Sequence, residues 1–233
     1  MNAQELPVTQ GVSPVSNIRI TAFKWVPPVA QGLVKDLRVR WALEEAGLPY
    51  TEKLLELGEH NSAAHRAVQP FGQVPVYEED GLTLFESGSI VMHIARKSPV
   101  LMPTDEAGRA RMLTWIFAAL NSVEPHVQNL TTIDLFFPDE EWAKQRRAGA
   151  ENMAKLRLDG VAASLEGRDY LDGQFTAGDL VMTTVLRLLR HTSLVKDMPV
   201  LAAYQSRCEA RPAFARALTA QLAHFERNQP KAA

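Results

Sequence analysis

The chain has 233 residues, 46% hydrophobic and 22% charged, with 25 basic against 27 acidic side chains. That balance argues against a dedicated nucleic-acid binder, which carries a basic surplus. No stretch approaches about 18 uncharged apolar residues, so no membrane-spanning helix is expected. The single cysteine, Cys208, excludes an internal disulfide framework and a Cys-rich zinc module. No apolar run of signal type precedes Arg19, the first basic residue, and a cytoplasmic setting is expected.

Residues 1–16 carry two prolines and little periodicity, and are read as a flexible arm. Ile18 to Phe23 alternate as a half-buried strand does. After a proline-containing loop, Leu33, Val34, Leu37, Trp41 and Ala42 recur at helical spacing, and Gly47 and Pro49 punctuate the end of that helix. Tyr50 to Leu55 read as a second strand, parallel to the first through a right-handed crossover. His60 to Gln69 suit a short helix. Val74 to Glu78 and Leu82 to Phe85 are short strands around Glu79-Asp80-Gly81, an antiparallel hairpin signal. Ser87 opens a further helix to about Lys97.

Two prolines between Ser98 and Thr104 break the pattern, and strand signals fade beyond them. A helix from about Asp105 to Val123 is ended or kinked by Pro125. Phe136 and Phe137 fall in a loop-like stretch, and Glu140 to Glu166 form a long helix. Thr176-Ala-Gly-Asp179 reads as a capping box, with Phe175 and Leu180 at the staple positions. Pro199–Glu209 and Pro212–Arg227 are the last two helices. The expected fold class is α/β plus all-α: a small βαβαββα domain over residues 17–98 and an all-helical domain over 104–228.

The common phosphate-loop, dinucleotide, nucleophile-elbow and zinc-protease motifs are absent. His60 and His65 stand five residues apart, off a common helical face, and no metal is expected. Val74-Pro75 interrupts an apolar run, either as an ordinary edge-strand proline or as a cis-proline whose turn offers the Val74 backbone to an extended peptide. Glu86-Ser87 stands at a helix start, where free N–H groups attract a carboxylate. Glu86 beside them suits an ammonium, so the pair fits an amino-acid zwitterion, and the alternative is a plain serine cap with a solvated glutamate.

Together, Gln73-Val74-Pro75, Asp80-Gly81 and Glu86-Ser87-Gly-Ser-Ile90 resemble the glutathione-site block of the cytosolic glutathione S-transferases. The pattern is of the bacterial, theta/zeta/beta-like kind. Leu37 to Leu43 with Gly47-Leu48-Pro49-Tyr50, Phe175 to Asp179, and Arg211-Pro212-Ala213-Phe214 extend the resemblance over about residues 17–227. It implies a thioredoxin-like N-terminal domain, a homodimer, and glutathione as co-substrate. By position, Val74 next to a cis-Pro75 would pair with the cysteinyl backbone, and Glu86 and Ser87 would hold the γ-glutamyl end. Gln73, and His60 fourteen residues before Val74, would reach the glycyl carboxylate.

The sequence departs from the family at one place. Members carry a Tyr, Ser or Cys near the start of the first helix to stabilise the glutathione thiolate. From Ala22 to Leu37 there is no Ser, Thr, Tyr or Cys. Lys24, the Trp25 indole, Thr21 and helix backbone N–H groups are the substitutes available, and no catalytic residue is assigned. Trp25, Arg111 and Trp115 are expected to line the second-substrate pocket, with Trp115 also suited to the core. Cys208 reads as a buried structural thiol. The expected activity is transfer of the glutathione thiolate to an apolar small-molecule electrophile. The alternatives are a glutathione-dependent thiol/disulfide reductase and a non-catalytic glutathione-binding module.

Overall fold

The computed structural model describes residues 17–230, so the segment read as an arm lies outside the described residues. β1 (Arg19–Phe23) runs parallel to β2 (Thr51–Leu55), with Arg19 opposite Thr51 and Phe23 opposite Leu55. The crossover between them is α1 (Asp36–Ala46), stopped at Gly47 in the left-handed conformation that a residue without Cβ adopts freely. The short α2 (Ala63–Arg66) leads back to β3 (Tyr77–Glu79), antiparallel to β1. β4 (Leu82–Leu84) completes a hairpin whose two-residue turn places Asp80 and Gly81 at φ 46° and 87°. The sheet order is β2-β1-β3-β4, and α3 (Ser87–Ala95) follows the last strand.

The remaining elements are helical: α4 (Glu106–Phe117), α5 (Glu124–Phe136), α6 (Glu141–Ser164), α7 (Ala177–Leu186), α8 (Pro199–Glu209) and α9 (Pro212–Arg227). This is the βαβαββα unit plus all-helical part expected from the pattern, and the thioredoxin-like architecture that the resemblance implies. The capping box forms: the Thr176 hydroxyl accepts from the Gly178 N–H at 3.2 Å, and the Asp179 carboxylate accepts from the Thr176 N–H at 2.9 Å.

Three local expectations are corrected. The first helix begins at Asp36 and not at Leu33, because Pro28–Ala30 and the turns after it occupy the loop. The helix before Pro125 does not end there. A wide π turn, Ala118–Val123, carries α4 directly into α5, so the donor that Pro125 lacks falls where the ladder is already re-registered. Phe136 is therefore the last residue of α5 and not part of a loop, with Phe137 just after it.

α1 lies at the centre of the molecule. Every side chain from Asp36 to Leu43 is buried, because α3, α7 and α9 all pack against it. Trp41 stacks edge-on to Phe214 with ring centroids 4.8 Å apart, which joins the sheet-bearing half to the helical half through a shared core. Burying aromatic surface on this scale is the main stabilisation of that junction. Asp36, Arg38 and Arg40 of α1 cannot reach water, and each must find a partner inside.

Candidate active site

The first turn of α3 is built from Glu86, Ser87, Gly88 and Ser89. Glu86 is the N-cap, at φ 68° and ψ 111°, a conformation that non-glycine residues rarely adopt and that marks functional sites. Its side chain does not cap the helix, and Ser87 is the first helical residue instead of the cap. The first free N–H groups of α3 therefore point outward without an intrahelical acceptor, and the helix end carries partial positive charge. Gly88 admits the close approach of the π turn: a Cβ there would stand 2.5 Å from Leu120 Cδ1.

Behind this turn, Arg38 is 2% exposed and makes four contacts. Its Nε donates to Thr184 Oγ1 at 2.8 Å and its Nη1 to Ser87 Oγ at 3.2 Å. Nη1 also donates to Glu124 Oε2 at 3.2 Å and Nη2 to Glu124 Oε1 at 2.9 Å. Because Ser87 Oγ accepts from Arg38, its own proton is free to donate toward a ligand. Lys35, the residue just before α1, places Nζ 3.0 Å from the same Glu124 Oε1. Burial works to raise the Glu124 carboxyl, but Arg38 and Lys35 outweigh it and hold the group below the usual carboxylate range.

These residues line a cleft of about 650 Å³ between α3 and the α4–α5 helix. Lys35, Arg38, Glu86 and Glu124 are its charged residues, with Ser87 among its other polar ones, and Leu113, Ile116, Phe117 and Leu120 form much of its apolar wall. An apolar cleft with a few convergent polar groups is what a small-molecule site requires.

The Gln73–Pro75 loop is held separately. Thr21 Oγ1 donates to the Val76 carbonyl at 3.1 Å and accepts from the Val76 N–H at 2.9 Å. His65 Nε2 lies 2.7 Å from the Gln73 carbonyl, and the Gln69 side chain accepts from the Gln73 N–H at 3.1 Å. The Val74–Pro75 peptide bond is cis. Among the described residues, the Val74 N–H and C=O have no hydrogen-bond partner. His60 sits in the turn after β2, edge-on to Phe23 at 5.1 Å, with the Gly58 N–H 3.3 Å from its Nδ1.

The structure thus brings Glu86 and Ser87 together in the cleft, while Gln73, Val74, Pro75 and His60 stand outside its lining. Arg111 pairs with Asp172 at 2.6 Å, and the Trp115 Cβ packs where a Cβ on Gly178 would stand, so neither lines the cleft. Trp25 is also outside it, with an indole N–H that is enclosed and unpartnered. Of the substitutes for the missing hydroxyl, Thr21 is engaged by Val76, and Lys24 pairs with Glu56 at 2.5 Å. Cys208 is fully buried, with its thiol pushed up to about 12 chiefly by desolvation, so it is not a nucleophile. Arg38, Glu124 and Lys35 were not singled out by sequence reasoning. A basic residue on a helix whose other faces are apolar was their one available signal.

A thioredoxin-like sheet carrying this helix-terminus site, followed by an all-helical half, defines the class of glutathione-dependent two-domain proteins. The profile described as "Glutathione S-transferase, N-terminal domain" matches residues 32–96. The chain is 32% identical to glutathione S-transferase 4 of Zea mays, over 76% of this chain and 83% of that protein. A glutathione transferase family member from Pseudomonas fluorescens, solved with two glutathione bound, superposes with TM-score 0.77 at 22% identity, covering 90% of this chain and 95% of that one. Glutathione transferase F7 of Populus trichocarpa gives TM-score 0.76 at 24% identity, covering 89% and 99%. The chain belongs to the glutathione S-transferase family.

Proposed function

We propose that this protein is a glutathione transferase that binds glutathione beside α3 and passes its sulfur to an apolar electrophile. The observation that supports the reading is Ser87, which lines the cleft as the first residue of α3 while Arg38 donates to its hydroxyl oxygen. The γ-glutamyl carboxylate would lie on this helix end, and its ammonium against Glu86. The unpaired Val74 backbone beside Pro75 would take the cysteinyl part of the peptide. Gln73 and His60 would reach the glycyl carboxylate, and the theta-like spacing of His60 is the support for that subclass.

The electrophile would lie against Leu113, Ile116, Phe117 and Leu120 in place of Trp25, Arg111 and Trp115. Residues 17–98 would form the glutathione-binding unit and 104–228 the helical one. The homodimer reading has the support of Phe71 and Phe85, an exposed edge-to-face pair 6.2 Å apart at the ends of the two glutathione segments. A cytoplasmic location belongs to the same reading, with the unpaired Cys208 as its support.

The test is a pH titration of glutathione binding, followed by calorimetry and by the ultraviolet absorbance of the thiolate. Binding with a sulfur more acidic than in free glutathione supports a transferase. Binding without that shift favours the non-catalytic module, and no binding at millimolar glutathione removes the reading.

A further inference from the structure

The stretch where the family carries its hydroxyl has none, and the structure narrows what replaces it. The Thr21 hydroxyl is spent on Val76, and the Lys24 ammonium is spent on Glu56. The Arg38 guanidinium spends four of its five N–H donors on Thr184, Ser87 and Glu124, and at 2% exposure it lies behind those groups. Lys35 is different. It lines the cleft, its side chain is 46% exposed, and its one ion pair at 3.0 Å, to Glu124, leaves ammonium protons for a further acceptor.

The charge balance points the same way. Lys35 and Arg38 are two cations on a single carboxylate, Glu124, so the trio carries an uncompensated positive charge. Glu86 is the other acid lining the cleft, and it stands at the α3 end, where the peptide ammonium is expected. From Ser87 Oγ, contacts of 3.2, 2.9 and 3.0 Å lead through Arg38 and Glu124 to Lys35 Nζ. The cation therefore stands three contacts away from Ser87 Oγ, in the same cleft as the apolar side chains against which an electrophile would lie.

We propose that Lys35 is the thiolate-stabilising catalytic residue, an ammonium that takes the place of the missing hydroxyl. This rests on the glutathione reading above. The thiol proton leaves to water, and Lys35 keeps its own protons throughout. The sulfur lone pair forms the new bond to the electrophilic carbon, whose leaving group departs with its electron pair.

The experiment measures the pH dependence of bound-thiolate absorbance in wild type, Lys35→Met, Lys35→Arg and Trp25→Phe. Affinity for S-methylglutathione, which has no ionisable sulfur, is measured in parallel. Lys35→Met is expected to raise the bound-thiol pKa by about one to two units, a loss of about tenfold or more in thiolate at neutral pH. S-methylglutathione affinity should change less than about twofold, a free-energy change of less than about 0.4 kcal/mol. Lys35→Arg should restore most of the shift.

An unchanged thiol pKa in Lys35→Met overturns the proposal. So does a rise confined to Trp25→Phe, or an equal loss of affinity for both peptides with the pKa shift intact. If wild type binds neither peptide, the glutathione reading itself has failed and Lys35 falls with it. A wild type that binds both without a sulfur shift overturns Lys35 and the transferase chemistry, and leaves glutathione binding standing.

Discussion

Arg38 Nη2 lies 2.9 Å from Glu124 Oε1, and Arg38 Nη1 lies 3.2 Å from Glu124 Oε2, with both side chains buried. This two-point ion pair fastens α1 to α5 across a separation of 86 residues and holds Ser87 from behind. A pair so placed costs desolvation, and its geometry is what offsets that cost.

Removing one partner should therefore be worse than removing both. Arg38→Met is expected to lose about 3–5 kcal/mol, because Glu124 is left buried with only Lys35 to balance it. Arg38→Met combined with Glu124→Leu should lose clearly less than the sum of the single variants. Urea unfolding of the three variants measures this, and strict additivity would show that the two side chains do not act as a pair.

Ser87→Ala removes the hydroxyl but leaves the backbone of α3 in place. Glutathione affinity is expected to fall by about 1–3 kcal/mol, the value of a hydrogen bond to a charged group. Calorimetry gives the affinity, and an unchanged circular dichroism spectrum verifies the fold. Wild-type affinity in this variant would mean that the hydroxyl does not face the ligand.

Acid stability should depend on Glu79. Burial works to raise this carboxyl, but Lys97, His93 at 2.9 Å and the Tyr77 hydroxyl at 3.0 Å together lower it from 4.5 to about 2. A carboxyl depressed in the folded state contributes stability above its unfolded pKa and loses it as pH falls through the folded one. The contribution, about 3 kcal/mol at most, is thus complete above 4.5 and disappears between 4.5 and 2. Glu79→Gln should flatten the stability profile in that window. Urea midpoints measured across it, equally steep in both proteins, would assign the acid limb to other groups.

Two glycines should respond oppositely to alanine. A Cβ on Gly178 would stand 2.9 Å from Trp115 Cβ and 3.3 Å from the Met112 carbonyl, so α4 and α7 must move apart. Overpacking of this kind costs about 1–3 kcal/mol. Gly149 lies within α6 and a Cβ there meets nothing within 4 Å, so Gly149→Ala should stabilise by about 0.5–1 kcal/mol through helix propensity. Thermal unfolding of both variants checks the pair of signs.

Much of the fold was legible because its signals are local. The Gly47 stop, the Asp80-Gly81 turn, the Thr176 box and the prolines opening α8 and α9 each act within a few residues. The placement of Glu86 and Ser87 at a helix start was legible for the same reason, since a strand end followed by a helix start is a short-range pattern. α5 was not, because Pro125 normally breaks a helix and only the π turn before it lets the helix continue.

The sequence by itself determined a βαβαββα unit followed by helices, and the absence of a hydroxyl between Ala22 and Leu37. Only the tertiary structure decided which polar groups gather near that gap. Lys35, Arg38, Ser87, Glu124 and Thr184 come from four helices and the start of one of them, and no local pattern records that they converge. They meet because α1 is buried on every side from Asp36 to Leu43, and a charge that cannot reach water is satisfied only by groups the fold brings to it.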